Sequence, residues 1–177
     1  NNDFTYLMEN SDFNRTLGGW SSIMLVFSKN AKENLNFSPT QIDYLIKNSN
    51  LKMSTKNGWT PLLFALDANK SENLNLSNEH FDYLINNSDL DVTTSSPDKF
   101  TPFYLAITSN ISKNLNLSKK QIDILLRGAN LKAHKENGWD ALMAMFDNNI
   151  TQNLNFSNEQ FDFAIKRSNL YRHKSDK

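Results

Sequence analysis

Apolar residues recur at helical spacing in short bursts separated by polar stretches. Leu62, Ala65 and Leu66 stand at i, i+3 and i+4, and Phe81, Leu84 and Ile85 repeat that arrangement after a polar interval. This spacing puts three side chains on one face and predicts an amphipathic helix for each burst. The second burst returns as Ile42/Leu45/Ile46, Ile122/Leu125/Leu126 and Phe161/Ala164/Ile165. Phe4, Leu7 and Met8 fit the same template, so the chain is expected to open inside a helix of this second kind.

Two further markers keep the same beat. The stretch NLNFS at 34–38 returns as NLNLS, NLNLS and NLNFS, with its first Asn at Asn34, Asn73, Asn114 and Asn153, in steps of 39, 41 and 39. The aromatics Trp20, Trp59, Phe100 and Trp139 follow the same steps, preceded by Gly19, Gly58, Lys99 and Gly138. A period in this range is the signature of a stacked repeat. The units fall at about 1–18 (partial), 19–57, 58–98, 99–137 and 138–177, within a single repeat domain. The closing NLYRHKSDK aligns with NLKAHKENG, so the chain is expected to be a window on a longer array. Its ends should be the least stable parts, since each unit buries its core against its neighbours.

One unit shows the construction. Asn57-Gly58 marks a turn, Thr60 stands as an N-cap, and Pro61 takes the first helical position, where its missing N–H costs nothing. Ser77 then starts the second helix, as Ser38, Ser118 and Ser157 do elsewhere, and Gln41, Gln121 and Gln160 follow three of these serines at capping-box spacing. The tag leucines, such as Leu74 and Leu76, alternate with Asn. They predict an extended bridge that tucks apolar side chains under the helix pair.

A turn glycine, Thr60-Pro61-Leu62 opening a short helix, a small Ala65, a second helix and a long loop together resemble an ankyrin repeat. Thr101-Pro102 with Ala106 matches next, with Phe103 in the leucine place. The resemblance runs in phase through essentially the whole chain, with three departures. The period is about six residues longer than the usual ~33, the excess falling at the tag. Met24, Leu63, Tyr104 and Met143 stand where the family has histidine, and Val26 and Met145 occupy the small-residue place in two units.

The resemblance implies an all-α, ankyrin-like helix–loop–helix solenoid that binds other proteins. Long-period arrays of this kind are typical of host-associated bacteria. It therefore also implies a non-catalytic bacterial effector, cytoplasmic or secreted into a host cell, with a host protein as partner. The functional alternative is an intramolecular scaffold or regulatory spacer within a larger protein, and the structural one a long-period helical solenoid of another kind.

Composition narrows the chemistry. Lys+Arg and Asp+Glu are equal at 19 each, whereas a phosphate-neutralising surface would carry a basic excess; no nucleic-acid partner is expected. The chain has no cysteine, which removes disulfides and thiolate sites. No apolar run approaches the ~18 residues of a membrane span, and a membrane partner is not expected either. Asn is used heavily, a bias consistent with an A+T-rich genome. It creates glycan-acceptor triplets, for example at Asn116 and Asn155. A glycan there would obstruct a partly buried tag, which favours a cytosolic protein.

No Gly-rich phosphate loop, H-E-x-x-H or G-x-S-x-G is present. Asp43, Asp82, Asp123 and Asp162 come once per unit at one helical position. That equivalence fits a solvated stripe better than a catalytic pair, whose members need differently tuned surroundings. His80 is expected to face solvent. His134 and His173 occupy equivalent loop places, and polar loop residues fit them better than a shared metal, since neither loop holds a second histidine. No catalytic residue, cofactor or metal is expected. The in-phase aromatics are expected to pack turns rather than to form a stacking ladder.

Recognition residues should vary where structural ones repeat. The loops LKMSTKNG, LDVTTSSPDK and LKAHKENG therefore supply Met53, Lys56, Val92, Thr93, Thr94, Asp98, Lys99, His134, Lys135 and Glu136 as candidate partner contacts. The variable place of the first helix supplies Leu25, Phe64 and Leu105, with Ala144 in the last unit. These three large apolar residues read equally well as an anchor strip or as filler between helices. The third loop is two residues longer and lacks the glycine, and insertions on one face of an array often mark its binding face. A monomer is expected.

Overall fold

The apolar bursts among the described residues do become helices. The computed structural model describes residues 10–33, 37–68, 76–109, 115–151 and 154–168. The expected helix at Phe4–Met8, most of the first two tags, His173 and the closing segment lie outside them. The chain divides into two compact units, Asn1–Ser88 and Asp89–Lys177.

In the first unit a hairpin of β1 (Thr16–Leu17) and β2 (Trp20–Ser21) leads into α1 (Ser22–Glu33), followed by α2 (Pro39–Asn48), α3 (Pro61–Ala68) and α4 (Asn78–Asn87). The second unit contains α5 (Pro102–Ser109), α6 (Lys119–Gly128), α7 (Ala141–Thr151) and α8 (Asn158–Arg167). The described residues are thus predominantly helical, as the spacing predicts. The small β-hairpin is an addition: Gly18 and Gly19 both hold positive φ, which a tight two-residue hairpin turn requires.

Packing follows the sequence beat inside each unit. α1 lies on α3, α2 on α4, and α3 on α4; in the second unit α5 lies on α7, α6 on α8, and α5 on α6. The first-helix bursts fill the interior: Ile23, Met24, Phe27, Leu62, Leu63 and Leu66 are fully buried, as are Phe103 and Ile107. Phe81, Leu84, Ile85, Leu125 and Leu126 close it from the second helices. Each such side chain contributes about 1.5–3 kcal/mol, so packing rather than helix propensity holds these short helices together.

Thr60 and Thr101 accept at Oγ1 from the backbone N–H of Leu63 and Tyr104, and Asp140 accepts at Oδ1 from that of Met143. At the second helices all four serines cap. Gln41, Gln121 and Gln160 return the bond, their Oε1 accepting from the serine N–H at 2.7–3.0 Å.

The fourth box corrects the expectation for His80. This side chain is buried, and its Nδ1 accepts the Ser77 N–H at 3.1 Å while Ser77 Oγ accepts from the His80 N–H at 3.3 Å. An imidazole thus replaces the glutamine amide. Burial holds its pKa below the usual 6.5, outweighing the upward pull of Asp43 and Glu79 and reinforced by Lys47. A depressed folded pKa means that the unfolded chain binds the proton more readily. Stability from this cap is therefore complete above about pH 6.5 and falls as the pH drops below it. His80→Gln should keep the box and remove that dependence. Urea midpoints at pH 7.5 and 5.5 should converge for the variant more closely than for the parent; equal convergence in both would refute the assignment.

The tags do bury apolar side chains. Leu76, Leu115, Leu117 and Phe156 are all buried. In the third and fourth tags the bridge carries one left-handed residue each: Asn116 and Asn155 sit at φ +50 and +52, a conformation Asn tolerates better than most residues. Both asparagines are exposed, so a glycan there would not meet a buried surface, and that argument for a cytosolic protein falls. Other asparagines also have structural work. Asn48, Asn86 and Asn87 donate to the carbonyls of Tyr44, Asp82 and Tyr83 near helix ends, and Asn50 and Asn130 accept from Lys52 and Lys132 N–H in turns.

Within the carboxylate stripe, Asp43 pairs with Lys47 at 2.8 Å and Asp123 with Arg127 at 2.7 Å. Burial pushes Asp123 up, but hydrogen bonds from Arg127 and Gln160 prevail and hold it below the usual carboxylate value. These are helix-surface ion pairs. No described helix is long and apolar enough to cross a membrane.

Candidate functional site

The loops between second and first helices close into hairpins at one place in the period. Thr55 clamps Trp59, its N–H donating to the Trp59 carbonyl at 2.9 Å and its Oγ1 accepting from the Trp59 N–H at 3.1 Å. Thr94 clamps Phe100 in the same way, at 3.0 and 2.9 Å. The two extra residues of the third loop lie inside this clamp. In the fourth loop Lys135 N–H donates to the Trp139 carbonyl at 2.8 Å, and His134 pairs with Asp140 in an antiparallel bridge. The glycine before each aromatic explains itself, since Gly19, Gly58 and Gly138 have φ of +87, +77 and +82. In the third hairpin Lys99 takes that role at φ +46.

A side chain at such φ costs about 1–2 kcal/mol, whereas glycine loses about 0.5–1 kcal/mol more backbone entropy on folding. Lys99→Gly is therefore expected to stabilise the protein by about 0.5–1 kcal/mol. The urea midpoint should rise at unchanged slope; a lower midpoint would show that Lys99 makes contacts worth more than its strain.

In the second unit the third and fourth hairpins enclose a groove of about 390 Å³. Thr93, Lys99, His134, Lys135 and Glu136 line it, five of the residues singled out by sequence, together with Asn130, Lys132 and Ala133. Its frame is tied twice: Asn130 Nδ2 donates to Thr93 Oγ1 at 3.2 Å, and the Glu136 N–H donates to the Pro97 carbonyl at 3.2 Å. Lys135 is spent internally. Its ammonium lies 3.5 Å from Asp98 and over the Phe100 and Tyr104 rings, at 5.2 and 4.8 Å.

A second groove, in the first unit, is aromatic. Trp20, Trp59 and Phe64 line it with Gly18, Thr55, Lys56 and Asn57, enclosing about 400 Å³. Phe64 is half-buried between the two indoles, with ring centroids at 4.8 and 5.2 Å. Trp20 and Trp59 thus pack against Phe64 of α3, and Phe100 lies near Tyr104 of α5 at 6.3 Å, whereas Trp139 is 38% exposed.

Two candidates are corrected. Leu105 is 3% exposed and Thr94 1%: the first fills the space between helices and the second is the hairpin clamp, so neither offers a surface to a partner. Ala144 is buried as well. Leu25 is exposed and Met53 and Val92 half-buried, but none of the three lines either groove. Sequence reasoning missed Asn130 and Lys132. Their signal was that both recur in phase, with Asn50 and Lys52, and so read as structural.

Among the described residues no group of three or more His, Asp or Glu could hold a metal ion. Neither a scan against protein-family models nor a comparison with curated proteins returns a match.

Proposed function

We propose that this chain is a non-catalytic protein-binding module of ankyrin-like, stacked helix-pair construction, which uses its hairpin loops as the contact surface. The observation that carries this reading is the split between a repeated frame and unrepeated side chains. The clamps and caps recur in phase, whereas Thr93, Glu136 and, among the described hairpins, Lys99, held on that frame, differ from their in-phase counterparts. Loops on a rigid scaffold are where recognition residues concentrate. The carboxylates that recur are engaged in ion pairs along their helices at Asp43 and Asp123, which fits a structural role better than a catalytic one.

The test is a capture experiment with the intact chain and a loop-exchange variant in which residues 93–99 and 134–136 take the sequence of the second loop. A partner retained by the parent and lost by the variant, with equal helical circular dichroism in both, supports the reading. Partners captured equally by both remove the hairpins from the interface.

A further inference from the structure

The groove between the third and fourth hairpins holds a lysine where the other described hairpins have glycine. Lys99 adopts φ +46 while Gly19, Gly58 and Gly138 take the same left-handed conformation freely. Backbone kept in an unfavourable region is a pointer to a role for the side chain that requires it. Lys99 and Lys132, both exposed, line the groove together. Among the described residues neither has a carboxylate within ion-pair distance, whereas Lys135 is neutralised by Asp98 at 3.5 Å. One acidic residue, Glu136, also lines the groove. Thr93 Oγ1 accepts from Asn130, which leaves its hydroxyl hydrogen free to donate. The groove thus offers two cations and a neutral donor on walls already tied together, so little ordering is needed on binding.

We propose that this groove takes an acidic, extended peptide segment of a partner protein, whose carboxylates pair with Lys99 and Lys132. The inference rests on the protein-binding reading above and adds the chemistry of the partner.

The probe is a ten-residue glutamate peptide titrated into the intact chain by calorimetry at low ionic strength, with a ten-residue lysine peptide as the opposite-sign control. The glutamate peptide should bind and the lysine peptide should not, and added salt should weaken the complex. Lys99→Gly and Lys132→Ala should each lower affinity at least threefold, while Lys119→Ala/Lys120→Ala, at the exposed start of α6, should leave it unchanged. Lys99→Gly is informative because it should tighten the fold while loosening the complex, a pairing that general destabilisation cannot produce. Absence of binding to the glutamate peptide, or equal losses from the α6 lysines, would overturn the inference. The protein-binding reading would survive that result wherever the loop-exchange variant still lost its captured partner.

Discussion

Replacing Phe103 by alanine is expected to lower the unfolding free energy by about 3–5 kcal/mol, the range for large-to-small changes at a closed core position. Phe103 is fully buried in α5. Its ring meets Phe156 of the last tag edge-on, with centroids 6.4 Å apart at 63°, and Phe156 in turn meets Phe161 of α8 at 5.9 Å and 73°. The alanine would open a cavity at the junction of a first helix, a tag and a second helix, where three elements must move together to close it. Phe103→Leu retains most of the volume and should cost under about 1.5 kcal/mol. Phe146 gives an internal comparison. It stacks on Phe161 at 4.8 Å but is 47% exposed, so its alanine variant leaves no closed cavity and should cost far less than Phe103→Ala. Urea unfolding of all three variants decides the matter: a loss below about 1 kcal/mol at Phe103 would mean that the tag and α5 do not share a core.

That junction also shows how far the sequence could be read. The spacing of Leu62, Ala65 and Leu66 identified a buried face of a first helix, and the serine-plus-three signal placed the starts of the second helices, because both depend on neighbours in the chain. The tag was understood as a connector with a cap, but not as one that passes through a left-handed residue. Asn116 and Asn155 take that conformation, and an asparagine in the sequence does not announce which backbone region it occupies. His80 was misjudged for a related reason. Histidine at the third position of a capping box lacks the familiar Gln signature, although its ring nitrogen can accept the same N–H. At the candidate site the loops were legible as the place where units differ. Which candidates face a groove was not, because Thr94 is buried in the clamp and Leu105 between helices, while Lys135 lines a groove but is held by Asp98 and two rings. Lys99 was identified as a departure from glycine; its strained φ gives that departure a physical meaning.

Gly128→Ala is where a propensity argument and the structure make opposite forecasts. The residue ends α6, and alanine inside a helix is favoured over glycine by about 0.8–1 kcal/mol, less at a final position. Sequence reasoning alone would therefore choose this substitution to stabilise the protein. A Cβ on Gly128 would stand 2.6 Å from Leu90 Cβ and 2.7 Å from its Cδ1. Rotating Leu90 could relieve the second contact but not the first, since its Cβ is fixed by the backbone. Overpacking of this kind costs about 1–3 kcal/mol, which exceeds the propensity gain, so a net loss of about 1–2 kcal/mol is expected. Trimming the neighbour tests the cause: Leu90→Ala should cost less in the Gly128→Ala background than in the parent, because it removes the Cδ1 contact and lets the loop recede. A midpoint raised by Gly128→Ala alone would show that the loop carrying Leu90 yields readily, and that the close approach of helix and loop is not a constraint on the fold.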